Sequence, residues 1–293
     1  MLHFEELYPD IYLLKVPFSG LWTGVMLIKG EENCLIDSGA KDTDVDQHIL
    51  PALAELVMDL HSVKWLLNTH SHGDHIGGHA RLTNLANLKV AAHASSAPKV
   101  ADPVPYAIET RTKFPEHSPA PQCYLKGVPV DRVLEDGEVV AGRLQVIHTP
   151  GHDDDCVCWY DIPTKTLITG DSLQGNGTPA QGVGFYKNLE QYLSSLQKLQ
   201  QLPIDHIVCG HDYDGIGWNI SGAEEVRKAL QLCYESTRQY HDFILRQNQA
   251  GIEDPVEIAL ALIRTHGCAM PDKLFLALYT VTQHLEKIKH TNP

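Results

Sequence analysis

The stretch Thr69-His70-Ser71-His72-Gly73-Asp74-His75 constrains this chain more than any other. It gathers three imidazoles and one carboxylate between an apolar run, Val63 to Leu67, and the glycine pair Gly77-Gly78. Imidazole nitrogen and carboxylate oxygen together suit zinc, iron or manganese. Alternate residues of an extended segment point the same way, so His70 and His72 are placed to grip one ion. Asp74 and His75 fall in the turn that follows, where their side chains diverge toward a second ion, about 3.5 to 4 Å from the first in two-metal hydrolases.

Short apolar runs at Ile11–Val16, Val25–Lys29 and Cys34–Asp37, separated by glycines, read as antiparallel strands. Asp42-Thr43-Asp44 supplies cap chemistry for a helix running to about Leu60, with Pro51 as a candidate kink. Val63–Leu67 is a buried strand that delivers the chain into the histidine motif, and Val90-Ala91-Ala92 is a short strand beyond it. The segment from Ala101 to Pro129, with six prolines, reads as an irregular loop or lid. Strand signals resume near Val130 and continue through Leu144–His148, Cys156–Tyr160 and Thr166–Thr169, followed by a helix around Leu189–Leu199 and a strand at Ile204–Val208. From Ala223 onward the pattern is helical to the end, so a division at 1–220 and 221–293 is expected.

Three strands run out into further metal-ligand chemistry. Leu144–His148 leads to Thr149-Pro150-Gly151-His152, Thr166–Thr169 to Gly170-Asp171, and Ile204–Cys209 to Gly210-His211. His152 would complete a three-histidine set, Asp171 could bridge two cations with its two oxygens, and His211 would serve the second ion. Glycine immediately before each ligand fits close backbone packing around a metal pair.

With these elements in this order, the chain resembles the metallo-β-lactamase-fold hydrolases, in particular the glyoxalase II, lactonase and thioesterase branch, over most of residues 7 to 215. The resemblance implies an α/β fold, an αββα sandwich, here with an all-helical C-terminal extension packed on it. It also implies that His70, His72 and His152 hold one ion, that Asp74, His75 and His211 hold the other, and that Asp171 joins them. Two divalent ions are expected, zinc ahead of iron or manganese. A metal-bridging hydroxide would then attack a carbonyl, with Asp74 and Asp171 as catalytic carboxylates. Leu35-Ile36-Asp37-Ser38-Gly39 also matches the family, and Asp37 is expected to steady the metal loop. His79 and His148 do not match ligand positions and read as packing or supporting residues.

Departures from the pattern narrow the reading. His72 is histidine, not the glutamate of the oxygen-reducing branch, and Asp171 is present where true β-lactamases lack it. Lactonases of the acyl-homoserine type place Tyr three residues after the bridging Asp, where this chain has Gln174. The glycine-rich stretch Gly175–Gly184 and His211-Asp212-Tyr213 are similar to glyoxalase II, whose basic glutathione positions are not evident. The helical tail and Asp153-Asp154-Asp155 are similar to thioesterases of quinolone signalling. A thioester of acyl-CoA or glutathione type is therefore the first expectation and a lactone the second. An iron-dependent sulfur dioxygenase and a metal-binding regulator without turnover rank lower. Tyr106, Phe114, Phe185 and Tyr186 are candidates to wall the pocket.

Composition bounds the partners. With 37 acidic against 23 basic residues, net charge −14, and no dense Lys/Arg block, neither nucleic acid nor an anionic membrane is expected. The start of the chain lacks a signal core and no apolar run approaches the roughly 18 residues of a membrane span, so a cytoplasmic location is expected. Seven scattered cysteines read as reduced thiols, with Cys156 and Cys158 as buried strand residues. The C-terminal helices are expected either to lid the site or to form a homodimer contact.

Overall fold

The fold, seen in a computed structural model that describes residues 2–291, is two sheets with helices on both outer faces. The first sheet is seven-stranded in sequence order: β1 (Glu5–Tyr8), β2 (Ile11–Phe18), β3 (Leu21–Ile28), β4 (Asn33–Ile36), β5 (Val63–Leu67), β6 (Lys89–His93) and β7 (Arg132–Leu134). Its first four strands are antiparallel neighbours, and β4 through β7 run parallel. The second sheet has β8 (Val139–Val140), β9 (Leu144–His148), β10 (Val157–Asp161), β11 (Thr166–Gly170), β12 (His206–Tyr213) and β13 (Gly217–Ser221), in the order β13-β12-β11-β10-β9-β8. Only β11 and β12 pair parallel there.

The alternation of side chains explains the layers. Leu13 and Trp159 point between the sheets into a shared core with Ile36, Leu67, Val146 and Val208. Their neighbours Leu14 and Tyr160 point outward, each into a separate core. After the short α1 (Asp42–Asp44), the first outer core is covered by α2 (Leu50–Glu55), α3 (Gly73–Ile76), α4 (His79–Leu85) and α5 (Ala97–Ala101). A further helix, α6 (Pro103–Thr112), follows α5, and α7 (Leu189–Gln200) covers the second sheet. The tail is α8 (Ala223–Gln249), α9 (Pro255–His266) and α10 (Phe275–Thr291). Helix α8 joins two cores: Val226, Leu230 and Cys233 pack on the second sheet, while Tyr240, Phe243 and Ile244 pack on α9 and α10.

Several sequence expectations change. The proline-rich segment is not irregular throughout: Pro103 sits in the first turn of α6, where its missing N–H leaves no helical bond unmade and its fixed φ favours the helix. The expected helix to Leu60 stops at Glu55 and contains a π-helical stretch, Val45–Ile49, in which the Leu50 N–H reaches back to the Val45 carbonyl. Pro51 cannot donate to the turn before it, and the wider turn absorbs that loss. β12 continues through His211 to Tyr213, so His211 lies within a strand and not beyond its end. The short strands β1 and β13 were not anticipated; each is a sheet edge, where an alternating apolar pattern is weak. All seven cysteines are free. Cys156 and Cys158 are buried as expected, and burial pushes the Cys158 thiol up to about 11. Among the described residues no helix is long and apolar enough to cross a membrane.

Candidate dinuclear metal centre

The histidine loop leaves β5 and is pinned at its base by Asp37, the residue that follows β4 in a left-handed conformation (φ 64°). The Asp37 carboxylate accepts from the Thr69 N–H at 2.8 Å, the Thr69 hydroxyl at 2.9 Å and His75 Nδ1 at 2.8 Å. The Thr69 carbonyl in turn accepts from the Val157 N–H of β10, tying the loop to the second sheet. Glycine then governs the approach of the second half. A Cβ on Gly170, whose φ is +49°, would lie 2.4 Å from Thr69 Cβ, and one on Gly210 would lie 2.8 Å from Asp171 Oδ1. Only glycine lets these strands bring Asp171 and His211 against the loop.

Five imidazoles converge, each with one ring nitrogen tied to an acceptor. His70 Nδ1 lies 3.1 Å from the Thr69 hydroxyl, whose proton goes to Asp37, so His70 Nδ1 is the donor. His72 Nε2 donates to Asp153 at 3.0 Å, His75 Nδ1 to Asp37, His152 Nδ1 to the Phe185 carbonyl at 3.1 Å, and His211 Nδ1 to the Trp22 carbonyl at 2.7 Å. In a neutral ring such a bond leaves the opposite nitrogen with a lone pair directed into the cluster. The free nitrogens meet: His72 Nδ1 is 3.1 Å from His152 Nε2, two acceptors facing one point. His70, His72, His152 and Asp171 form one such group, and Asp74, His75 and His211 a second, with all ligand atoms of each group within 4.8 Å of one another. Asp171 lies between them. Its Oδ2 is 3.5 Å from both His152 Nε2 and His211 Nε2, and its Oδ1 is 3.4 Å from His75 Nε2.

This donor set fits cations. His70 Nε2, His75 Nε2 and Asp171 Oδ1 are buried with no hydrogen-bond partner among the described residues, a costly condition that a metal ion relieves. Electrostatics point the same way. Burial opposes charge on His211, yet Asp171 and Asp74 overcome it and hold the imidazole protonated up to about 10; Asp74, Asp171 and Asp37 likewise raise His75. In the other group burial dominates, lowering His152 to about 3 and His70 well below its usual range. So the carboxylate-rich group takes protons where it would otherwise take a cation.

All seven residues anticipated from the sequence are thus brought together, and Asp37 takes the supporting position expected of it. His79 stays outside, bonded to Ser38 through Nδ1 at 2.7 Å, and His148 stacks on His93 with ring centroids 4.3 Å apart. Ser71 Oγ has no hydrogen-bond partner among the described residues, which leaves it without an activating base. Gln174 braces the bridging residue: its Nε2 donates to the Asp171 carbonyl at 2.7 Å and its Oε1 accepts from the Phe185 N–H at 3.0 Å. The run Asp153–Asp155 proves structural as well. Asp153 accepts from His72 and from Lys187 Nζ at 2.6 Å, Asp155 accepts from the Ser71 N–H at 3.0 Å, and Lys99 pairs with all three carboxylates.

The cluster opens into a cleft with about 790 Å³ of empty space, its mouth included. Phe18 and Leu21 from the β2–β3 hairpin, Tyr106, Thr110 and Arg111 from α6, Phe185, and Phe275 and Leu276 of α10 form its walls. Tyr106 and Phe185 thus line the cleft as expected, whereas Phe114 packs edge-on against Tyr279 and Tyr186 is buried against Tyr192 and does not line it. Arg111 and Lys187 were not anticipated. Reading Pro103 as a helix start would have placed Arg111 in a helix, but not its direction.

Two packed sheets, helices on both faces and a paired His/Asp cluster where central strands run out fit a metal-dependent hydrolase of the αββα class. The chain belongs to the metallo-beta-lactamase superfamily, whose model matches residues 23–211. It is 27% identical over 267 residues to a beta-lactamase-like protein 2 homolog of Drosophila melanogaster, covering 90% of this chain and 80% of that protein. A hydroxyacylglutathione hydrolase of Rhodopseudomonas palustris (strain BisB5) is 30% identical over 171 residues; the match covers 56% of this chain and 55% of that enzyme. Among solved structures, a metallo-beta-lactamase family protein of Thermus thermophilus superposes with a TM-score of 0.76 at 25% identity, covering 98% of this chain and 95% of that one.

Proposed function

We propose that this chain is a thioester hydrolase that works with two divalent ions, zinc ahead of iron or manganese, held by His70, His72 and His152 on one side, Asp74, His75 and His211 on the other, and Asp171 between. The observation that carries the reading is the five tethered imidazoles whose free nitrogens converge with two carboxylates. Bound there, the ions would lower the pKa of water from about 15.7 toward neutrality and polarise the scissile carbonyl.

The protein's own groups do the rest. Asp74 and Asp171, held off protonation by His75 and His211 despite burial, are acceptors able to orient the attacking water. Thr23 Oγ1, 3.3 Å from Asp74 Oδ2, fixes that carboxylate. Phe18, Leu21, Phe185 and Phe275 exclude bulk water from the acyl group. A thioester is favoured over a lactone by the likeness to a hydroxyacylglutathione hydrolase and by Gln174, which stands where lactonases of this resemblance carry Tyr. Tyr213 is buried in the outer core, with its hydroxyl beside Asp171 and 3.5 Å from Gln174 Nε2. Seven free cysteines support a reducing compartment, and the net charge of −14 supports a small-molecule substrate over nucleic acid or membrane.

Hydrolysis of a medium-chain thioester, measured beside an acyl-lactone of matched length with and without chelator, tests the reading. Thioester turnover abolished by chelator is expected. Turnover of the lactone alone would transfer the chain to the lactonases.

A further inference from the structure

Arg111 is set apart from every other cation near the cluster. Lys99 and Lys187 lie close by, but both are neutralised by Asp153, Asp154 and Asp155. Among the described residues Arg111 is the one lysine or arginine that lines the cleft, and its side chain makes no hydrogen bond and no ion pair there. Its guanidinium lies over the Phe275 ring, 4.1 Å from the centroid, which fixes its plane and leaves its edge N–H groups unpaired. Burial lowers its pKa, and Asp74 is the only carboxylate acting against that shift. Once Asp74 binds a cation, its charge is no longer available to Arg111. In a chain with 37 acidic residues, an idle, half-buried guanidinium facing the reaction cleft calls for an anion from outside.

The anion's charge follows from the count. One planar fork matches one carboxylate bidentately, whereas a polyphosphate would leave most of its charge unmatched on an acidic surface. The neighbouring donors are neutral: Gln122 and Gln181 line the same cleft.

Building on the thioesterase reading above, we propose that Arg111 is the subsite for a single carboxylate carried by the substrate, gripped at the cleft wall while the scissile carbonyl lies over the metal cluster. Substrates are then monoanionic near the reacting carbonyl, and a phosphorylated carrier, where there is one, keeps its phosphates outside the cleft.

The test is binding of non-hydrolysable thioethers to the metal-loaded protein by calorimetry, so it does not depend on turnover. S-Hexylglutathione carries the carboxylates on the thiol side, S-(5-carboxypentyl)-N-acetylcysteamine carries one on the acyl side, S-hexyl-N-acetylcysteamine has no charge, and S-hexyl-coenzyme A is polyanionic. At least one carboxylate probe should bind about 10- to 100-fold more tightly than the uncharged one, the range of a charged hydrogen-bonded pair. In Arg111→Gln that ratio should fall toward one, and in Arg111→Lys it should be intermediate, because charge remains and the fork is lost. Two metal ions per chain in each variant establish that the site is intact. Equal binding of all probes by the parent protein, a ratio retained in Arg111→Gln, or an Arg111-dependent gain only for the coenzyme A probe would each overturn the proposal. If thioesters are not hydrolysed but the ratio holds, the thioesterase reading fails and the carboxylate subsite stands.

Discussion

The first sheet delivers His70, His72, Asp74 and His75 from one loop after β5, whereas the second sends His152, Asp171 and His211 from three separate strands. The loop is held by side chains: Asp37 binds both Thr69 and His75, and Asp153 binds His72. The second set is held largely by backbone, through the Phe185 and Trp22 carbonyls and through Gly170 and Gly210 where strands touch. A contiguous motif needs carboxylates to orient its rings, because its loop has no ladder of its own. Residues set just past a strand end or at a register break are placed by neighbouring backbone carbonyls and need room to approach. The two halves should therefore fail in different ways when altered.

The strongest challenge to this division is Asp171→Ala, which removes the residue between both groups. Metal content should fall from two ions per chain and kcat/KM by about three decades or more, given several kcal/mol of charge stabilisation at about 1.4 kcal/mol per decade. An active variant retaining both ions would refute the bridging role. Next is Gly170→Ala, which drives a Cβ to 2.4 Å from Thr69 Cβ at a positive φ. Strain and overpacking together should cost about 2–4 kcal/mol in denaturant unfolding. Gly142→Ala, also at positive φ but with nothing within 4 Å, should cost only about 1 kcal/mol. Equal costs would show that contact between the halves does not matter at Gly170.

Asp37→Asn tests the loop's own support. It should weaken metal binding about 10- to 100-fold, the usual range for a residue behind a ligand. The loss should be greater for the ion held by His75, read by metal titration; equal losses at both sites would remove Asp37's particular tie to His75. The mildest effect is a pH dependence in metal-free protein. His211 is raised to about 10, so its contribution to stability is present below pH 6.5 and lost as pH rises through 10. His152 is lowered to about 3, so its contribution is present above pH 6.5 and lost as pH falls through 3. Chemical unfolding of the apo protein should show a maximum near pH 6.5, with the alkaline limb flattened when metal is added, because coordination requires neutral His75 and His211. An unchanged alkaline limb would contradict the cation-seeking character of that group.

Much of this architecture was open to sequence reading because it rests on short-range rules. β5 and β9 were bounded at their true ends by apolar runs and turn residues, and α7 and the helical tail by periodicity. The ligands announced themselves by chemistry joined to position, each preceded by glycine or set in the histidine loop. α6 was missed because six prolines outweighed the one that mattered, Pro103, whose place in a first turn is a favourable context that composition does not reveal. His211 was placed past a strand end because the apolar run stops at Cys209, while the strand runs on to Tyr213 through a break in register between Val208 and Tyr213.

The sequence by itself determined which atoms are able to bind a metal, the order in which they appear, and the alternation that separates inward from outward faces, since these depend on residue type and a spacing of a few residues. Tertiary structure alone decided which ring nitrogen stays free on each histidine, which lysines are neutralised, and that Arg111 is left without a partner in the cleft. Those outcomes hang on pairings between residues as far apart as His72 and Asp153 or Arg111 and Phe275. Such contacts are fixed by the packing of the sheets and of the tail, and no local pattern encodes them.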